Sequence, residues 1–280
     1  MLSFRRVSST LVTTAVMAIF MTSSLVHAQS GTPAVACDAT FGSDAGTVFA
    51  NVNKAIAGGG LQAGDYAQIG VAISNIRQQY EDMTAPEGCE TSRQQIAQVS
   101  ALDEDVMILN LLIRLDTKNT AYSDFVQNTW KPRFDAFRTS LTATAAADGG
   151  TSSAGASGVC ADTAYQAQIP ADLKTLPSPD STSAASIGST LLATLKLRYQ
   201  YEDATAPAGC DTARKDMVKL MSASEDILLA GAGLLADTAN AAKYNDFMNK
   251  TVNPRGQKLY MTMLTDLGTA PATPAATAAS

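Results

Sequence analysis

The sequence predicts an all-α protein: two tandem, homologous four-helix up-down bundles, each closed by one disulfide within its own domain. Three observations predict it. Apolar residues recur every three or four positions, and no stretch alternates with period two. The decapeptide YEDMTAPEGC (Tyr80 to Cys89) returns as YEDATAPAGC (Tyr201 to Cys210). The four cysteines, Cys37, Cys89, Cys160 and Cys210, fall at matching places in the two halves.

The first 28 residues read as a secretory signal. Arg5 and Arg6 precede an apolar run from Leu11 to Val26, and Val26-His27-Ala28 has the small-residue pattern of a cleavage site. Export places the cysteines in an oxidising compartment, where an even number argues for disulfides. Four cysteines allow three pairings, and the duplication selects Cys37–Cys89 and Cys160–Cys210. Ala34-Val35-Ala36-Cys37 faintly resembles a lipobox. It lies well past the apolar run, and the equivalent Cys160 is beyond the reach of any signal peptidase.

Four helical patterns follow. The first holds Val48, Phe49, Val52 and Ile56; the second Tyr66, Ile69, Ile73, Ile76 and Tyr80. The third holds Ile96, Val99, Leu102, Val106, Leu109 and Ile113; the fourth Tyr122, Phe125, Thr129, Phe137 and Leu141. Thr-Ala-Pro-x-Gly after Tyr80 is turn chemistry: proline stops one helix and glycine permits the return. Gly58-Gly59-Gly60 lacks the lysine and the preceding strand of a phosphate loop and reads as a hinge.

The second half repeats these landmarks. Arg77 matches Arg198, CETSR matches CDTAR, Glu104-Asp105 matches Glu225-Asp226, and Asp116-Thr117 matches Asp237-Thr238. One inserted residue later, Tyr122, Asp124, Phe125, Pro132 and Arg133 match Tyr244, Asp246, Phe247, Pro254 and Arg255. The predicted domains are 37–143 and 160–267, joined by a flexible linker at 144–159 and followed by a disordered Thr/Ala/Pro tail at 268–280. The first helix of the second half is expected to be broken by Pro170, Pro177 and Pro179.

Charge and composition narrow the function. Without Arg5 and Arg6, 18 of the 20 basic residues remain against 26 acidic ones, a balance unsuited to nucleic acid or anionic membranes. The single histidine, His27, leaves with the signal, so histidine-based triads and metal sites are excluded from the processed chain. The methionines are scattered, and no oxygen-ligand calcium loop occurs. No catalytic residue, metal site or cofactor is expected.

The adjacent acids Glu81-Asp82 and Glu104-Asp105 read as a solvated face, because helical neighbours point about 100° apart. Asp105 flanks the buried stripe of the third helix. Arg133 lies between Trp130 and Phe137 on the apolar side of the fourth, beside a kink expected at Pro132. Both are equally far from the turn near Asn119, so antiparallel helices bring them to one height. The expectation is a semi-buried ion pair Asp105–Arg133, repeated as Asp226–Arg255: a register device, or the polar end of a small-ligand pocket.

Together these features predict an exported, non-catalytic helical protein, secreted or held in the periplasm or cell envelope. Its two similar surfaces suit attachment to a protein or cell-surface partner. A ligand carrier or enzyme with a pocket at the Asp–Arg pair, and a structural surface subunit, are the alternatives.

Overall fold

A computed structural model describes residues 37–38, 40–144 and 159–269. The expected signal and its cleavage site, most of the linker and nearly all of the tail lie outside the described residues. Within them the protein is helical and no strand occurs. Both expected disulfides are present, Cys37–Cys89 and Cys160–Cys210, closing sequence separations of 52 and 50 residues. Among the described residues no helix is long and apolar enough to cross a membrane.

The elements are α1 (Ser43–Gly58), α2 (Ala63–Asp82), α3 (Glu90–Leu115), α4 (Ala121–Phe125), α5 (Lys131–Thr144), α6 (Thr163–Leu173), α7 (Ala184–Asp203), α8 (Asp211–Ala236), α9 (Ala241–Phe247) and α10 (Asn253–Asp266). They form two compact units. The first joins Met1–Thr151 with Leu229–Ala241; the second joins Ser152–Leu228 with Ala242–Ser280. One division, between 151 and 152, falls within the expected linker; the others fall inside α8 and in the first turn of α9.

In the first unit α2 and α3 form the main helix pair. Phe49 and Val52 on α1, Ile73, Ile76 and Tyr80 on α2, and Tyr122, Phe125, Phe134 and Phe137 on α4 and α5 are buried. Leu229 approaches α2 where Gly70 leaves room: a Cβ at Gly70 would stand 2.8 Å from Leu229 Cδ1. Gln68 Nε2 donates to the Asp237 carboxylate at 3.0 Å. In the second unit the core gathers Tyr165 and Ile169 of α6, Leu197 and Tyr201 of α7, Met217 and Met221 of α8, and Met263 of α10. α6 starts on an Asp162 side-chain cap at 2.9 Å and runs through Pro170 to Leu173. The expected break thus comes three residues after that proline, and Pro177 and Pro179 lie in the non-helical segment beyond.

The fourth helical pattern differs from its expected phase, for a local reason. Pro132 has no N–H to give the carbonyl four residues back, and its ring crowds that carbonyl. The backbone opens into a π turn over Val126–Trp130, closed by Lys131 N–H donating to the Val126 carbonyl five residues earlier. Pro254 follows an equivalent π turn at Met248–Val252, closed from Asn253 N–H to Met248. Each turn absorbs one extra residue. The buried stripe therefore steps from Phe125 to Trp130 and on to Phe134 and Phe137, not through Thr129. In the second unit it steps from Phe247 to Val252, Arg255, Leu259 and Met263.

The recurrent decapeptide has a structural account. Cys89 N–H donates to the Pro86 carbonyl at 3.0 Å and Cys210 N–H to Pro207 at 2.9 Å. Each turn holds a glycine in the left-handed region, Gly88 at φ 78 and Gly209 at φ 79. A side chain there is strained although Gly209 has open space around it. Gly209→Ala is expected to lower unfolding free energy by about 1 kcal/mol, read from the urea midpoint; an unchanged midpoint would refute the conformational argument.

Candidate functional site

The repeated polar residues converge on the inside of each unit. In the first, Arg77 projects from α2 on the same face as Ile73, Ile76 and Tyr80, and its side chain is fully buried. Its Nε donates to Glu104 Oε2 of α3 at 2.8 Å, and its Nη1 to Glu81 Oε2 at 3.0 Å. In the second, Arg198 of α7 lies 2.8 Å from Glu225 Oε2 of α8. Its Nη1 reaches Ser222 Oγ at 3.3 Å and its Nε stands 3.4 Å from Glu202. Arg77, Arg198, Glu104 and Glu225 each have 1 % side-chain exposure or less.

This overturns the solvated-face reading of Glu104-Asp105 and Glu225-Asp226. All four are buried: α3 is covered on every side from Val99 to Leu109, and on α8 Glu225 and Asp226 are sealed although the next residue, Ile227, is exposed. The expected stripe assumed a helix with one wet face. Glu81 is half-buried, and Asp82 is exposed. The signal that could have found the pairs was present: an arginine on the apolar face of the second helix, repeated together with the acid pair of the third.

The other residues predicted for a site fall as follows. Asp105 and Asp226 are fully buried, Arg255 is 9 % exposed, and Arg133 is half-buried in the first turn of α5. Trp130 belongs to the core: its indole N–H donates to the Leu102 carbonyl at 2.7 Å, and its ring stacks on Phe134.

A second layer of contacts ties the decapeptide to its helices. Arg93 donates to the Tyr80 carbonyl and forms an ion pair with Glu90 at 2.6 Å. Arg214 donates to the Tyr201 carbonyl at 2.8 Å and pairs with Asp211 at 2.9 Å. Each arginine thus satisfies a carbonyl in the last turn of the preceding helix, a group that lacks an intrahelical partner. The Tyr80 hydroxyl donates to Asp44 of α1, and the Tyr201 hydroxyl to Asp172 of α6 at 2.7 Å. Burial and the aspartate beside each hydroxyl push both tyrosines well above their usual range.

Asp103 departs from this pattern. It is buried, and its sequence equivalent is Ser224, which bonds the Leu220 carbonyl of its own helix at 3.1 Å. Burial, and then the Asp105 carboxylate, pushes the Asp103 carboxyl up to about 7. The folded state therefore holds this proton more tightly than the unfolded chain between pH 4 and pH 7. Its contribution to stability is greatest below the unfolded value and falls as pH rises through 7. Asp44 acts oppositely. Burial raises it, but hydrogen bonds from Tyr80, Ala45 and Gln79 outweigh that and lower it, so its contribution is lost in acid. Stability is expected to be higher at pH 5.5 than at pH 8.5, and Asp103→Asn should stabilise the alkaline state by about 1–2 kcal/mol. Equal gains at both pH values would show that Asp103 does not titrate in this range.

What the arrangement does chemically is hold helices together. Among the described residues no group of three or more His, Cys, Asp or Glu side chains is placed to share a metal ion. Comparison with protein-family models, curated proteins and solved structures finds no match.

Proposed function

We propose that this chain is an exported helical attachment protein. Its two similar units, tandem four-helix bundles at 37–143 and 160–267 in this reading, each present the same turn to a protein or cell-surface partner. The observation that carries the reading is the surface of the repeated turn. Its buried parts, the tyrosine and the cysteine, are used by the fold and its glycine shapes the turn, whereas Thr84 and Thr205 are exposed at equivalent places, as are Asp82 and Asp203. Two such turns on one chain allow avidity without any new contact. Two disulfides fit the oxidising compartment that export implies.

Within this reading the pairs Asp105–Arg133 and Asp226–Arg255 set helix register in the core. The burial of Asp105, Asp226 and Arg255, with Arg133 half-buried, supports that role over a surface one. A double-mutant cycle on Asp226 and Arg255 should give a coupling above about 1 kcal/mol; additive losses would remove the pairing.

The attachment reading is tested on the full chain with envelopes of the producing cell. Thr84→Lys or Thr205→Lys alone should weaken retention about tenfold or more, and the two together should abolish it, with the urea midpoint unchanged. Wild-type retention by the double variant would end the proposal.

A further inference from the structure

The two disulfides have matched chemistry and unmatched access. Cys89 and Cys210 each stand immediately before a helix of 26 residues, α3 and α8. The carbonyl of each accepts the N–H of an arginine one turn in, Arg93 at 2.9 Å and Arg214 at 3.0 Å. Either sulfur therefore leaves as a thiolate at the positive end of a long helix. Their partners differ. Cys160 is fully buried, in a core cluster with Tyr165, Met217, Met263 and Leu267. Its N–H donates to the Asp266 carbonyl at 2.8 Å, and its own carbonyl accepts from Gln166 Nε2 at 2.6 Å. Cys37 is half-buried, whereas the other three cysteines have no exposure. The segment after Cys37 lies against α2 and α3. The Phe41 ring meets Tyr80 edge-on at 5.6 Å, and a Cβ at Gly42 would stand 2.8 Å from Ile96 Cδ1.

We propose that Cys37–Cys89 is a redox clasp that a dithiol opens in the folded protein, whereas Cys160–Cys210 is a permanent structural bridge. Exchange requires a thiolate to reach one sulfur in line with the other, so access decides which bridge reacts. A thiolate of the dithiol attacks Cys37 Sγ. The bond to Cys89 Sγ breaks, and Cys89 leaves as a thiolate and takes up a proton. The second thiol of the reagent then attacks the mixed disulfide and releases Cys37 as a thiol. Two electrons have passed to the protein, and the dithiol has become a disulfide.

Opening the clasp loosens the start of α1. Residues 37–42 lose their covalent tie to the start of α3, and the Tyr80 hydroxyl loses the restraint that keeps Asp44 beside it. Phe41 and Gly42 then lift from Tyr80 and Ile96, both buried in the closed form. Phe49 and Val52 remain in the core, so the change is confined to the first turns of α1. The second bridge has no such route. A reductant reaches it only while the end of α10 is open, because Met263 and Leu267 belong to the same buried cluster as Cys160 and Cys210. Its reduction is therefore slowed by the small fraction of molecules open at that end.

Timed reduction of the oxidised wild-type chain tests this, with dithiothreitol as the dithiol, an N-ethylmaleimide quench and peptide mapping. Without denaturant, Cys37 and Cys89 should be labelled about tenfold or more faster than Cys160 and Cys210. In denaturing urea the two pairs should react within about twofold of each other, because their leaving groups are then alike. Equal rates in the folded protein would overturn the clasp. So would a preference that persists in urea, which would place its cause in the local sequence and not in burial. Amide hydrogen exchange under the same dithiothreitol should show protection of residues 41–49 falling about tenfold while that of residues 165–173 is kept. Unchanged protection at 41–49 once Cys37 and Cys89 are reduced would show that the bridge restrains nothing in the folded state, and would overturn the proposal equally.

Discussion

Arg77→Ala is expected to cost about 3–5 kcal/mol of unfolding free energy, read from urea denaturation at pH 7. The guanidinium has no contact with water, and it neutralises Glu104, which has none either. Deleting it leaves a buried carboxylate whose compensating charge is gone, and Glu81, half-buried one turn along α2, loses its partner as well. The loss reflects the stranded charge more than the value of the pair. Replacing Arg77 and Glu104 together by Met and Leu should therefore recover much of it, because both groups then vanish from the core. A cost below about 1 kcal/mol for Arg77→Ala would mean that water reaches the pair. Arg198→Ala should behave alike through Glu225, with Ser222 softening the effect by hydrogen-bonding part of the remaining polar surface.

The second large effect belongs to the disulfides. Replacing Cys37 and Cys89 by serine should lower stability by about 2–4 kcal/mol, and the Cys160–Cys210 pair by a similar amount. The estimate rests on loop length alone: separations of 52 and 50 residues constrain the unfolded chain almost equally. Each bridge also ties the segment before the first helix of its half to the residue before α3 or α8. Reduction should therefore release Asp44 from Tyr80 in one unit and Asp172 from Tyr201 in the other, because α1 and α6 are the helices the bridges tether. Chemical denaturation with and without reductant measures the cost. Equal midpoints would mean that the bridges do not restrain the unfolded state.

The helices were legible in residue order because their causes are local. Apolar spacing marks α2 and α3, and the proline and glycine of TAPxG mark the stop and the return. Cysteine pairing was legible because the decapeptide recurs, and that recurrence chose among three possibilities. Even the burial of Trp130 could be expected from its place among aromatic residues.

The phase of the fourth pattern was not legible. A strict 3.6-residue period placed Thr129 inside, but a proline without an N–H opens the turn before it, and the added residue rotates everything beyond. The interior acids were misread for a different reason. Periodicity says which face of a helix is most apolar; it does not say how many faces are covered. On α3 all are covered from Val99 to Leu109, so Glu104 faces Arg77 and not water. Helix, turn and disulfide pairing thus belong to the order of residues, since each arises from neighbours or from a recurring stretch of sequence. Whether a carboxylate is wet or sealed in depends on what the rest of the chain packs against it, and only the tertiary structure decided that.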